Sequence, residues 1–266
     1  MTNFEADKFW EQRLTKIGGL EGVGYAKIGR QFNYWAYQVR RVAFNKIIAP
    51  IKNILPTAKV LDIGSGTGFY IDAWQQAGAK NITGIDITEI AVQNLKKTFP
   101  HQQFVTRDVS ENLKSAPELV NAFDVISAMD VLFHIVDADK FEAAVANISA
   151  MLKQGGYFVY TDNFVSIEAT TAKKHQVSRT KEMLLQLFEK NNLKVIEMNP
   201  FMVLTNYPVD SKNKFLHAYW FMLENLLYVI KPLGSIFGPL LFNIDKALLN
   251  SVKKGPTTKI VLLKKV

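Results

Sequence analysis

The stretch Val60-Leu-Asp-Ile-Gly-Ser-Gly-Thr-Gly-Phe-Tyr70 constrains this chain more than any other. Val60 to Ile63 is a short apolar run that reads as a buried strand, and a helical pattern follows from Phe69 to Gln76. Between them stand Gly64, Gly66 and Gly68. A strand that enters a helix through a glycine turn lets backbone approach a ligand closely, and glycine tolerates the positive φ such a turn needs. The spacing is not the G-x-G-x-x-G of dinucleotide-binding turns.

Downstream, strand and helix alternate. Strands are expected at 60–64, 82–87, 103–106, 123–128 and 157–161. Helices are expected at 68–78, 88–99, around 111–121 and from about 137 to 152. This alternation implies a parallel sheet with helices on both faces. Residues 163–178 read as loop with a short helix, 179–191 as an amphipathic helix, and 193–198 and 259–264 as two further strands. Upstream, 28–52 reads as a helix whose apolar positions include Phe32, Trp35, Val39, Ala43 and Ile47.

Composition narrows the function. The 266 residues contain no cysteine, which excludes disulfides, thiolate metal sites, cysteine nucleophiles and an iron–sulfur cluster. No metal site is expected. No leader pattern opens the sequence, so a cytoplasmic location is expected. The net charge of +8 is unevenly spread. Residues 60–163 hold seven Lys and Arg against thirteen Asp and Glu, whereas 1–59 hold ten against four and 164–266 fifteen against seven. An acidic centre with basic flanks suits an anionic substrate or surface met by the flanks.

The loop Asp62-x-Gly-x-Gly-x-Gly68 resembles motif I of the class I S-adenosylmethionine-dependent methyltransferases, in their small-molecule branch (type 11/12-like). Asp86, about twenty residues after the glycines at the end of the second strand, fits the position that accepts hydrogen bonds from ribose hydroxyls. Asp108, after the third strand, fits the position that receives the adenine amino group. The resemblance implies a Rossmann-like seven-stranded sheet, mostly parallel with an antiparallel last strand. It implies S-adenosyl-L-methionine as cofactor and S-adenosyl-L-homocysteine as product. The expected cofactor contacts are Asp62, Gly64, Ser65, Gly66, Gly68, Asp86, Ile87, Asp108, Val109 and Met129. The expected organisation is an N-terminal helical lid at 1–56, a core at 57–198 plus 258–266, and a helical cap at 199–257.

A hydroxyl acceptor needs its proton removed, so a base with a near-neutral pKa is sought. His134, Asp162 and His175 are the candidates, with Asp130 beside them. Tyr25, Tyr34, Arg40, Asn163 and Arg179 are candidate substrate contacts. The segment after the fourth strand lacks the Asn/Asp-Pro-Pro-aromatic signature of enzymes that methylate nucleic-acid bases, so the expected partner is a small molecule and not nucleic acid. Transfer to oxygen of an amphipathic or anionic metabolite is expected. An inactive cofactor-binding subunit and an NAD(P)-dependent reductase stand as alternatives. Residues 215–230 are apolar nearly all round but carry Glu224 and stop at Pro232, too short and interrupted to span a bilayer. Peripheral membrane contact through 215–249 and a monomer or homodimer are expected.

Overall fold

A computed structural model describes residues 4–166, 170–173 and 175–266. Its main sheet contains β1 (Lys59–Ile63), β2 (Asn81–Asp86), β3 (Gln103–Thr106), β4 (Phe123–Ala128), β5 (Leu152–Asp162), β8 (Leu193–Pro200) and β9 (Lys259–Lys265). The strand order is β3-β2-β1-β4-β5-β9-β8. β1 to β5 are parallel, and β9 runs antiparallel between β5 and β8. This is the seven-stranded class I methyltransferase sheet. The order reverses between β1 and β4, and ligands of open α/β sheets bind beyond the carboxyl ends of the strands at such a switch.

Alternation along each strand divides the core. Val60, Val125, Val159, Ile260 and Leu262 face one layer, formed by α3 (Arg30–Ile47), α4 (Phe69–Gln76), α5 (Glu89–Thr98) and the end of α9 (Gly234–Ser251). Leu61, Ile126, Phe158, Tyr160, Val261 and Leu263 face the other, formed by α6 (Ala138–Met151) and α7 (Lys181–Lys190). Each fully buried Val, Leu, Ile or Phe contributes about 1.5–3 kcal/mol, so strands apolar on both sides belong at the centre of such a sandwich.

Three local expectations change. The helix around 111–121 is two 3-10 turns, Leu113–Ser115 and Pro117–Leu119. Asn112 turns the backbone by accepting the Lys114 N–H, and Pro117 cannot continue a helix. The segment between β5 and α7 contains a hairpin, β6 (Thr170–Lys173) with β7 (Gln176–Ser178), where a short helix was expected. The Thr170-Thr171 pair favours strand over helix. β5 starts five residues early, crossing Gly155 at φ +77° with a register shift against β4.

The flanks are placed differently from the lid and cap read in the sequence. Val39, Phe44 and Ile47 of α3 are buried against the sheet, so α3 is part of the core layer. The roofing is done by α1 (Ala6–Lys16) and α2 (Gly19–Val23). The inserted helices, α8 (Lys214–Val229) and α9, pack on α3 and line no part of the cleft described below. α9 approaches α3 closely because Gly234 and Gly238 lie where a Cβ would meet Phe32 N at 2.8 Å and Trp35 Cδ1 at 2.3 Å.

Asp245 fastens α9. Fully buried, its carboxylate accepts the backbone N–H groups of Val203, Leu204 and Thr205 and the Thr205 hydroxyl. Asp245→Ala would leave buried donors unsatisfied. It should lower stability by about 3 kcal/mol, read as a shift of the urea midpoint, and Asp245→Asn should lose less because its carbonyl oxygen still accepts.

Candidate active site

The tips of β1, β2, β3 and β4 surround a cleft of about 970 Å³, open solvent included. Its floor is the glycine loop. Gly64 and Gly68 adopt φ +69° and +85°, and a Cβ on either would come within 2.4 Å of Val131 or Phe99 side chains. The loop is clamped to β2: the N–H groups of Gly64 and Ser65 donate to Ile85 O, and the Gly66 N–H donates to Asp86 Oδ2. The Gly68 N–H donates to Ser65 O. These donors are spent inside the protein. The loop therefore supplies close backbone approach and not the row of N–H groups that a dinucleotide pyrophosphate requires, which weighs against the NAD(P) alternative.

Acidic groups ring this floor. Asp86 is nearly buried, and its Oδ1 also accepts the Thr88 N–H and hydroxyl at 2.9 and 2.7 Å. Burial raises its pKa, with the Thr88 and Gly66 hydrogen bonds acting against that rise. Asp108 Oδ1 accepts the Ser110 N–H and hydroxyl, which holds the carboxylate at the cleft wall. Carboxylates at the tips of β2 and β3 could accept ribose hydroxyls and an amino group. The Tyr70 hydroxyl lines the same cleft, buried and without a hydrogen-bond partner among the described residues, so a bound ligand could satisfy it.

Beneath the loop, Asp62 is buried and lines no part of the cleft. Its Oδ1 accepts the Ser127 hydroxyl at 2.6 Å, and Ser127 Oγ accepts the Trp74 indole N–H at 2.9 Å. Burial pushes Asp62 up to about 7, against the opposing Ser127 and Ser65 hydrogen bonds.

The post-β4 turn forms the opposite wall. Asp130 has φ +59°, a left-handed conformation rare outside glycine and asparagine. Its N–H donates to Thr161 Oγ1 at 2.6 Å, and its carboxylate lies 3.3 Å from Arg40 Nε. His134 follows on a 3-10 turn and lines the cleft. Its Nδ1 lies 2.7 Å from the His175 carbonyl oxygen. A carbonyl only accepts, so Nδ1 carries the proton and Nε2 is the basic nitrogen.

The roof is apolar. Ala6, Trp10 and Leu14 of α1 and Val23 of α2 close over the loop, and Glu11 ties α1 down by accepting the Ile90 N–H at 3.2 Å. Trp10 meets His134 edge-on, with centroids 4.9 Å apart.

Of the expected cofactor contacts, Gly64, Ser65, Gly66, Asp86, Ile87, Asp108, Val109 and Met129 line the cleft, whereas Asp62 and Gly68 brace it from below. Of the expected bases, His134 and Asp130 reach it. Asp162 is fully buried, bonded to the Tyr160 hydroxyl and the Asn163 N–H, and is pushed up to about 6 by burial. His175 stacks behind His134, at 5.6 Å between centroids, and on Phe9 at 5.0 Å.

The expected substrate contacts do not line the cleft. Tyr34 is half exposed to solvent. Tyr25 donates its hydroxyl to Thr205 O and Asn206 Oδ1. Asn163 bonds Ser178 and Thr258, and Arg179 lies over Phe141 and donates to Ile135 O. Arg40 is buried behind Asp130. Trp10, Leu14, Val23, Tyr37, Tyr70 and Arg107 line the cleft without having been singled out in the sequence.

Residues 60–156 match the family described as methyltransferase domain. This chain carries a class I S-adenosylmethionine-dependent methyltransferase domain. An mRNA cap guanine-N(7) methyltransferase of Caenorhabditis elegans is 28% identical to it over 159 residues, 54% of this chain and 41% of the relative. A ribosomal protein L11 methyltransferase of Staphylococcus aureus is 32% identical over 108 residues, 40% of this chain and 32% of the relative. The matches thus span under half the length of these relatives. Among solved structures, magnesium protoporphyrin IX methyltransferase from Synechocystis PCC 6803 with bound SAH has a TM-score of 0.59 at 13% identity, covering 98% of each chain. The 1,6-didemethyltoxoflavin-N1-methyltransferase of Burkholderia thailandensis has 0.54 at 14%, covering 100% of this chain and 93% of that one. These likenesses are of fold. Among the described residues of this chain, no helix is long and apolar enough to cross a membrane.

Asp62 gives a signed pH prediction. Its folded pKa of about 7 lies above its ordinary 3.8, so the folded state binds the proton more tightly. The associated stability is full below about pH 4 and is lost as pH rises towards 7. Asp62→Asn stays neutral throughout. Its stability relative to the native protein should therefore rise from pH 5 to pH 8 in paired urea titrations, and a constant difference would place the carboxylate's pKa near normal.

Proposed function

We propose that this methyltransferase transfers the methyl group of S-adenosylmethionine to a small-molecule acceptor, at a hydroxyl oxygen. The observation that carries the reading is His134, a cleft-lining imidazole whose Nδ1–H is held by a backbone carbonyl. When bound, the cofactor supplies a methyl already activated on its sulfonium. Asp86 and Asp108 would accept the hydroxyl and amino donors of its adenosine end, Gly64 and Gly66 would admit it closely, and the Tyr70 hydroxyl would be available to hydrogen-bond it. The acidic ring also favours a cationic ligand. Trp10, Leu14 and Val23 would exclude water from the cleft, and His134 would take the proton of the acceptor hydroxyl. A cytoplasmic setting belongs to the same proposal.

The curated relatives named for an mRNA cap and for a ribosomal protein favour a second reading, a nucleotide or protein acceptor. The expected absence of a nucleic-acid partner is therefore part of the proposal. Transfer from carbon-13 methyl-labelled cofactor into an extract, followed by separation of small metabolites, RNA and protein, decides among them. Label in the small-metabolite fraction with the chemical shift of an O-methyl carbon is expected. Label in RNA or protein would replace the acceptor. Tight cofactor binding without transfer would favour an inactive subunit.

Two substitutions separate binding from chemistry. Asp86→Ala should weaken S-adenosylhomocysteine binding in calorimetry by about 1–3 kcal/mol, the scale of hydrogen bonds to a charged group. His134→Ala should leave that affinity unchanged and lower kcat on the order of 100-fold. Full turnover in His134→Ala would remove the base from the mechanism.

A further inference from the structure

The inserted helices present an apolar face that the cleft does not use. α8 buries Trp220, Leu223 and Leu227 against α3 and its approach. On the other side, Phe215, Met222 and Val229 are 87%, 69% and 76% exposed. They are spaced seven apart, which stacks them along one side of the helix. On α9, Ile236, Leu240 and Ile244 are exposed at spacing four, again on one side. Isolated exposed apolar residues are ordinary, but two helical stripes of them are not.

Charge identifies the occupant. Exposed lysines stand at the ends of these helices: Lys212 and Lys214 at the start of α8, Lys231 in the turn, and Lys253 and Lys254 after α9. Between 211 and 254 there are two acidic residues, exposed Glu224 and Asp245, which is buried on backbone N–H groups. A second copy seated symmetrically would press a surface carrying these lysines against a surface of the same charge. A nucleic acid would satisfy the lysines and leave the aliphatic stripes in water. A bilayer interface rich in anionic headgroups satisfies both: apolar side chains enter the acyl boundary while long lysine stems reach the phosphates.

We propose that the outer face of α8 and α9 docks this protein on an anionic lipid surface. It lies on the surface, since no described helix can cross a bilayer. The proposal is independent of the acceptor assignment.

Cosedimentation of the full chain with phosphatidylcholine vesicles, and with vesicles containing about one-third phosphatidylglycerol, tests it. Binding to the anionic vesicles on the order of tenfold tighter than to neutral ones is expected, weakening as salt rises. The double variant Met222→Glu/Val229→Glu should lose this binding by at least about tenfold. Lys253→Glu/Lys254→Glu should weaken it and flatten the salt dependence. These positions are exposed and outside the cleft, so unchanged melting and S-adenosylhomocysteine affinity show that the variants remain folded. No sedimentation with anionic vesicles overturns the proposal, as does native-level binding by Met222→Glu/Val229→Glu. A dimer in light scattering that this double variant disperses, without vesicle binding, would assign the face to a second copy instead.

Discussion

The glycine loop is held in place by the end of β2, and the site depends on that clamp. Ile85 O takes two loop N–H groups and Asp86 takes a third. A loop of three glycines has large conformational entropy, and a few backbone hydrogen bonds to a rigid strand select one conformer. The same bonds determine what the loop can recognise. With the N–H groups of Gly64, Ser65, Gly66 and Gly68 used internally, it contributes mainly surface. Recognition passes to side chains at the strand tips, where Asp86, Asp108 and Asp130 stand. Asp62, Ser127 and Trp74 tie β1, β4 and α4 together directly below, so the floor is braced from two sides.

The core was legible because its signals are local. Strand alternation, the glycine triplet and the acidic residues that end β2 and follow β3 are all readable at short range, and their order along the chain sets the sheet. The place of β9 between β5 and β8 was legible only through family resemblance, since some sixty residues separate it from β8. What failed were long-range partnerships. Asp162, Asn163 and Arg179 sit near a strand tip that faces the site, but Tyr160, Ser178, Thr258 and Ile135 consume them. Sequence shows that a polar group lies at a strand end, not which neighbour satisfies it. The roof failed for a related reason. α1 has no fully buried residue, so its apolar pattern is weak, and nothing in Trp10 or Leu14 says which distant loop they cover.

The strained turn at Asp130 was also invisible, although Asp130 itself was noticed. Its left-handed backbone depends on Thr161 from β5 and on Arg40 from α3. Two elements on either side in sequence thus over-determine one residue at the switch point, which is how a conformation costing on the order of 1–3 kcal/mol persists. The arrangement aims the following residues, Val131 to His134, along the cleft wall. Val131 then occupies the space that a Cβ on Gly64 would need, so loop and wall are complementary shapes and neither can change alone.

The uneven charge of the chain becomes a division in space. The acidic middle supplies the strand tips, and three of its carboxylates converge on the cleft with a fourth beneath it. Burial disfavours the ionised forms of Asp62 and Asp86 and raises their pKa values. A cationic ligand relieves that penalty, and a ligand that loses its positive charge in the reaction relieves it less. Of the basic flanks, Arg40 pairs with Asp130 beside the cleft, whereas the lysines at the ends of α8 and α9 line no part of it. Lysines on α8 and α9 are separated from the cleft by α3 and by the buried Arg40–Asp130 pair, so an anionic surface can be met there without meeting the acidic cleft.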